Sequence, residues 1–243
     1  SGCRYEYSLN LGYLNQVPST ATTIVHSTEC NPDNGSATVR IDGADADGTT
    51  DNDDIESVVK NLGGSVIRTS SDCLTGTDRL AEANRTLNCD FIINVQGDEP
   101  LISPDDINSV VQAYLTGDGS VVNAMCEITD EQEFKSFTVP KVVCDQANKL
   151  LYMSRSAIPL TKNGDFKFGY KQICIYAFSK EHLEFFFSHP NKTPLEAVED
   201  IEILRFLESQ YQVQMIQVEK GSYAIDVPED VERVVKILQN NQS

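Results

Sequence analysis

The chain has 243 residues, 40% apolar and 23% charged, which is the composition of a folded protein with room for one sizeable core. Its formal net charge of −18 excludes a nucleic-acid binder, because that interaction depends on Lys and Arg neutralising phosphates. No stretch approaches the ~20 apolar residues of a membrane span, and no apolar run follows a basic start at residues 1–10, so neither membrane insertion nor a signal peptide is expected.

Residues 1–54 are rich in Ser, Thr, Asn, Asp and Gly and contain no lysine before Lys60. Two β-like runs occur there, Thr22–His26 and Ala37–Ile41, the second just before the acidic stretch Asp42–Asp54. From Ile55 onward strand-like and helix-like segments alternate. Ile55–Leu62 reads as a helix stopped by Gly63-Gly64, and Ser65–Thr69 as a short strand. Thr77–Leu87 reads as a helix, with Thr77 as its cap. Phe91–Val95 is the continuous apolar run of a strand covered on both faces. Pro104 opens a helix to Tyr114, with Asp105 and Asp106 favourably placed in its first turn.

Val121–Ile128 reads as a strand, and Lys141–Cys144 with Leu150–Met153 as a hairpin. A strand at Gln172–Phe178 precedes a helix at Lys180–Phe187. Val198–Ser209 carries helical periodicity, Val213–Val218 is a strand, and a last helix runs from Pro228 to about Leu238. This alternation implies an α/β fold: a doubly wound, mostly parallel sheet with helices on both faces and a β-hairpin excursion near 140–178. With no linker or repeat visible, the expectation is a single domain over 1–243 with an atypical segment at 1–50.

Seven cysteines, odd in number and without a C-x-x-C, argue against a disulfide framework or zinc site. Free thiols in a reducing compartment, and hence a cytoplasmic location, are expected. Asp42, Asp45, Asp47 and Gly48 fit a calcium loop poorly. Chemistry is better sought in Asn94-Val-Gln-Gly-Asp-Glu-Pro100, where Asp98 follows an apolar strand. Open α/β sheets bind ligands outside the carboxyl ends of their strands, and a carboxylate there suits magnesium shared with substrate phosphates; a capping role explains the same spacing equally well. Asp226, before Val-Pro-Glu-Asp, is either a second metal carboxylate or a helix N-cap. In Thr75-Gly-Thr-Asp-Arg79, Gly76 permits close backbone approach and Arg79 offers a cationic fork, the plainer alternative being a surface pair of Asp78 and Arg79. Arg155 lies in a loop after a strand. Glu199 and Glu202 would share a face of a helix as solvated acids.

Taken together these segments resemble the 3-deoxy-manno-octulosonate cytidylyltransferases, or CMP-Kdo synthetases. The resemblance is carried by Thr75-Gly-Thr-Asp-Arg-Leu-Ala-Glu82, Asn94–Pro100, Lys141-Val-Val143, Ser154-Arg-Ser-Ala-Ile-Pro159, Ile175-Tyr176, Pro194-Leu-Glu196 and Asp226-Val-Pro-Glu-Asp230, in that order, from about residue 50 to the C-terminus. It implies transfer of CMP from CTP to a 3-deoxy-ulosonic sugar acid with release of pyrophosphate, in cell-envelope polysaccharide synthesis. It also implies Mg2+ held by Asp98 and Asp226, nucleotide contacts from Thr75, Gly76, Arg79 and Gln96, and sugar-acid contacts from Gln96, Arg155, Gln172, Tyr176 and Glu202, with Arg155 also catalytic. A homodimer with its interface near 150–175 is implied as well. The pattern departs from the family's at four places. The basic N-terminal loop that wraps the triphosphate has no counterpart in residues 1–50, Gln172 replaces a His, Cys174 a Gly and Ile203 a Gln. Two or three missing phosphate contacts at about 1.5–3 kcal/mol each would weaken CTP binding by orders of magnitude. A catalytically silent homologue serving as a binding or dimerisation module, and a cytidylyltransferase for another sugar acid, are the alternative readings.

Overall fold

The computed structural model describes residues 22–31, 36–42, 49–50, 53, 56–57, 60, 66–87, 89–96, 99, 101–219, 222, 234 and 236–237. The expected residues Asp98 and Asp226, the acidic cluster around Asp45, most of the Ile55–Leu62 helix and most of the C-terminal helix lie outside them. The described residues group into two compact units, one drawn from Ser1–Pro100, Ala177–Pro190 and Tyr223–Ser243, the other from Leu101–Tyr176 and Asn191–Ser222.

In the first unit β1 (Thr22–Asn31) pairs antiparallel with β2 (Ser36–Asp42) and with β5 (Phe91–Gln96). A two-residue parallel ladder joins β3 (Thr49–Thr50) to β4 (Ile67–Arg68). Both β-like runs of the N-terminal segment are therefore strands. Their antiparallel course differs from the parallel pairing expected of the sheet, and its cause is local. Only four residues separate β1 from β2, whereas a parallel return needs a crossover of a dozen or more. Helix α1 (Gly76–Leu87) buries Leu80, Ala81 and Ala83 and packs against α4 (Lys180–Ser188), which buries Leu183 and Phe186. β5 adds Ile92 and Ile93 to this core. The start of α4 is tied to the residue before β5, Lys180 N–H donating to Asp90 O at 2.8 Å.

In the second unit β6 (Val121–Glu127) lies beside β10 (Val213–Gln217) in a parallel ladder, Val121 opposite Val213, and its other neighbour is β9 (Tyr170–Ser179). β7 (Lys141–Cys144) pairs antiparallel with β8 (Leu150–Ser154) and with β9, which is the expected hairpin excursion. Helix α2 (Pro104–Thr116) packs on β6. It begins as its sequence dictates: Ser103 caps it by accepting from Asp105 N–H, Pro104 occupies the first turn, and Asp105 and Asp106 face the positive end of the helix dipole. Helix α3 (Glu131–Lys135) is capped in the same way by Asp130.

The expected continuous helix Val198–Ser209 is instead a corner between two short helices, α5 (Pro194–Glu199) and α6 (Ile203–Glu208). Asp200 ends α5 in the left-handed region at φ 53°, a conformation that Asp tolerates better than most residues. The corner is closed by a buried pair. Arg205 donates from Nε to Glu196 Oε2 at 2.8 Å and from Nη2 to Oε1 at 2.7 Å, with both side chains 0% exposed. Glu199 and Glu202 therefore do not share a helical face.

Cys73, Cys89, Cys126, Cys144 and Cys174 are thiols outside any disulfide. Among the described residues, no helix is long and apolar enough to cross a membrane.

Candidate functional site

A densely connected polar constellation is in the second unit, where β7, β8 and the α5–α6 corner meet side chain to main chain. Lys141, 0% exposed, donates from Nζ to Ser136 O at 2.6 Å, Val139 O at 2.6 Å and Arg155 O at 2.5 Å. Burial pushes its pKa down to about 8; the nearby Arg155 charge adds to this and Glu199 opposes it. Arg155 donates from Nε to Glu199 O at 2.6 Å, from Nη2 to Asp200 O at 3.0 Å, and from Nη1 to Phe137 O at 3.2 Å and Thr138 O at 3.4 Å. The Glu199 carboxylate accepts from Ser154 Oγ at 2.6 Å, Arg155 N–H at 2.9 Å and Tyr152 hydroxyl at 3.3 Å. Burial raises its pKa, but those three donors and the Arg155 charge outweigh it and hold the carboxyl below its ordinary range. Glu199 is thus a working member of the network rather than the solvated acid that its spacing suggests.

Of the other sugar-acid candidates, Gln172 is buried, and its Nε2 donates to Asn123 Oδ1 at 3.0 Å. Asn123, 0% exposed in the middle of β6, donates in turn to Ile173 O at 3.0 Å and Ile175 O at 2.9 Å. Tyr176 is 2% exposed, within the core of the unit. Glu202 stands immediately before α6. Arg155 and Gln172 share no hydrogen bond, so these two candidates belong to separate networks within one unit. Sequence reasoning missed Asn123, although a lone polar residue inside Val-Val-Asn-Ala-Met-Cys was a visible signal.

The nucleotide candidates lie in the first unit, around the start of α1. The Thr75 hydroxyl accepts from Asp78 N–H at 3.2 Å and donates to Asp78 Oδ2 at 2.8 Å. Thr75 O accepts from Arg79 N–H at 3.2 Å. The cap is therefore Thr75 and not Thr77. The helix begins at Gly76, which puts Thr77 inside the first turn and out of solvent. Arg79 Nη1 reaches Thr69 Oγ1 at 2.6 Å and Ser70 O at 3.3 Å, so it ties the preceding loop to the helix. Glu82 does the same, accepting from Ser70 N–H at 3.0 Å and Cys73 Sγ at 3.2 Å. Burial, reinforced by Glu82, pushes the Cys73 thiol up to about 12. Gln96 is the last residue of β5. Two residues earlier Asn94 is 0% exposed, and neither its amide nitrogen nor its amide oxygen makes a hydrogen bond. A buried orphan of this kind is uncommon in folded chains. Among the described residues, no group of three or more His, Cys, Asp or Glu side chains could hold a metal ion.

Residues 49–220 match the model of a family described as cytidylyltransferase. The chain belongs to that family. Among curated relatives, the 3-deoxy-manno-octulosonate cytidylyltransferase of Protochlamydia amoebophila is 35% identical over 197 residues, 78% of this chain and 76% of the relative. That of Flavobacterium johnsoniae is 37% identical over 195 residues, 79% of this chain and 80% of the relative. A solved structure of CMP:2-keto-3-deoxy-manno-octonic acid synthetase complexed with CTP aligns at TM-score 0.72 and 29% identity, covering 79% of this chain and 80% of the other. The inositol-1-phosphate CTP transferase of T. maritima aligns at TM-score 0.51 and 14% identity over 75% of this chain and 69% of the other, a likeness of fold alone. These matches bear out the α/β class expected of the sequence. Within this cytidylyltransferase, the departures at 174 and 203 are a half-buried Cys174 outside any disulfide and a fully buried Ile203.

Proposed function

We propose that this chain transfers CMP from CTP to a 3-deoxy-ulosonic sugar acid, Kdo or a close relative, releasing pyrophosphate for cell-envelope polysaccharide synthesis. The observation that carries the reading is identity of about 35% to enzymes of that name over 78% of the chain. In the reaction the anomeric hydroxyl attacks the α-phosphorus of CTP and pyrophosphate leaves. Catalysis of this kind is largely positioning and charge neutralisation.

The roles divide between two sets of residues. The capped start of α1, with Thr75, Gly76 and Arg79, and Gln96 at the end of β5 serve the nucleotide. Helix N-termini favour anionic groups through their free N–H groups and dipole, and Arg79 and Glu82 hold the preceding loop in shape. Arg155, Gln172, Tyr176 and Glu202 serve the sugar acid. Asp98 and Asp226 would hold Mg2+, which supplies neutralisation of phosphate charge when bound. Two oxygen-donor carboxylates suit that hard cation, and the end of β5 at Gln96 leaves Asp98 two residues beyond a strand's carboxyl end in the sequence. The chain works as a cytoplasmic homodimer. Leu151, Leu160 and Phe168, 57%, 46% and 56% exposed in the 150–175 region, support an interface there.

The test is pyrophosphate release from CTP, Mg2+ and Kdo. Release with all three and its loss in Asp98→Asn are expected, and equal turnover with UTP or ATP would refute the cytidine assignment. The family match begins at residue 49 and so excludes the N-terminal segment, where the family's basic loop has no counterpart. That observation favours the silent homologue as the second reading, and no release from any sugar acid would establish it.

A further inference from the structure

We infer that Lys141 is a positioning residue for capture of the sugar acid's carboxylate and acts through Arg155; the inference rests on the cytidylyltransferase reading above. Four consecutive main-chain carbonyls, from Ser136 to Val139, are all occupied by two side-chain cations: Lys141 takes Ser136 O and Val139 O, and Arg155 takes Phe137 O and Thr138 O. An ammonium has three N–H donors. Lys141 gives the third to Arg155 O itself, at 2.5 Å, so the two cations are joined through the main chain.

Burying an ammonium is costly, and an apolar side chain of similar size would fill the space without that cost. What such a side chain could not do is hold three carbonyls at once. The arrangement fixes one thing above all, the guanidinium of Arg155. That group has five N–H donors. Four go to carbonyls, two in the 137–138 loop and two at the end of α5, Glu199 O and Asp200 O. One N–H on Nη2 remains, on a half-buried side chain held from two sides. The charges acting beside Arg155 are those of Lys141, Glu199 and Asp200, the last paired with Lys192. A directed cationic donor suits one carboxylate oxygen. Lys141 touches no substrate; it sets where Arg155 stands.

The test is steady-state kinetics of pyrophosphate release, with Kdo and CTP varied in turn. In Lys141→Met the KM for Kdo is expected to rise between about tenfold and a hundredfold, the penalty for a displacement of roughly 1 Å. The KM for CTP and kcat should stay within about twofold. Ser154→Ala, which removes the 2.6 Å bond steadying Glu199, should shift the same parameter in the same direction by less, and it decides the question if Lys141→Met does not fold. An unchanged KM for Kdo, or equal damage to CTP and Kdo parameters, overturns the inference. Absence of pyrophosphate release by the parent chain refutes the activity itself and the inference with it, and it is seen before any substitution is made.

Discussion

Glu196 and Arg205 face each other where no water reaches either side chain, through two bonds of 2.8 and 2.7 Å. Substituting Arg205→Met keeps most of the volume but leaves a carboxylate with no cation in a closed space. Breaking one side of a buried pair costs about 3–5 kcal/mol, most of it from the stranded charge. Glu196 also accepts from Thr193 N–H at 3.1 Å, so the partner variant is Glu196→Gln, which keeps that acceptor and removes the charge. The double variant should lose only about 1–2 kcal/mol, because nothing charged remains buried. Urea unfolding followed by circular dichroism measures all three, with the m-value checked for constancy. A loss below about 1 kcal/mol in Arg205→Met, or losses that add to within about 0.5 kcal/mol in the double variant, would refute the reasoning.

Three further outcomes are expected. Burial lowers the pKa of His182, whose Nδ1 accepts from Ser179 N–H at 3.1 Å as part of the cap on α4. The folded state therefore holds its proton less tightly than the unfolded state, and the contribution is full above the ordinary pKa of 6.5 and lost as pH falls through the lower folded value. Thermal melts from pH 7.5 to 5 should show this slope, and His182→Gln should remove it. Thr75→Ala should cost about 1 kcal/mol through loss of the α1 cap, with Thr75→Ser restoring it in the same melts. The Cys73 thiol, raised to about 12, should alkylate slowly with iodoacetamide at pH 8, and Glu82→Gln should speed the reaction, read by peptide mass spectrometry.

Local signals made much of the fold legible. The apolar run Phe91–Val95, the Ser103-Pro104 start of α2 and the paired runs Lys141–Cys144 and Leu150–Met153 each lie in the elements expected of them. What stayed hidden is set by partners distant along the chain. Nothing local in Val198–Ser209 reports a break, since Glu196 meets Arg205 only after the chain has turned. Arg155 reads as a loop cation open to a ligand, yet four of its five donors are taken by carbonyls 17, 18, 44 and 45 positions away. Asn123 is conspicuous in an apolar strand, but its acceptors lie 50 and 52 residues further on. The candidate site residues are proposed from motif, and the sequence pattern does not carry the contacts that hold Arg155, Glu199 and Asn123.

Helices α5 and α6 have six residues each, far below the length at which a helix persists alone. The Glu208 carboxylate at the end of α6 accepts from Leu195 N–H and Glu196 N–H in the first turn of α5, so the second helix finishes the first. Neither can unwind without orphaning donors in the other. Hydrogen exchange across 194–208 should therefore show one opening event rather than two, and a substitution at either extremity should be felt along the whole corner.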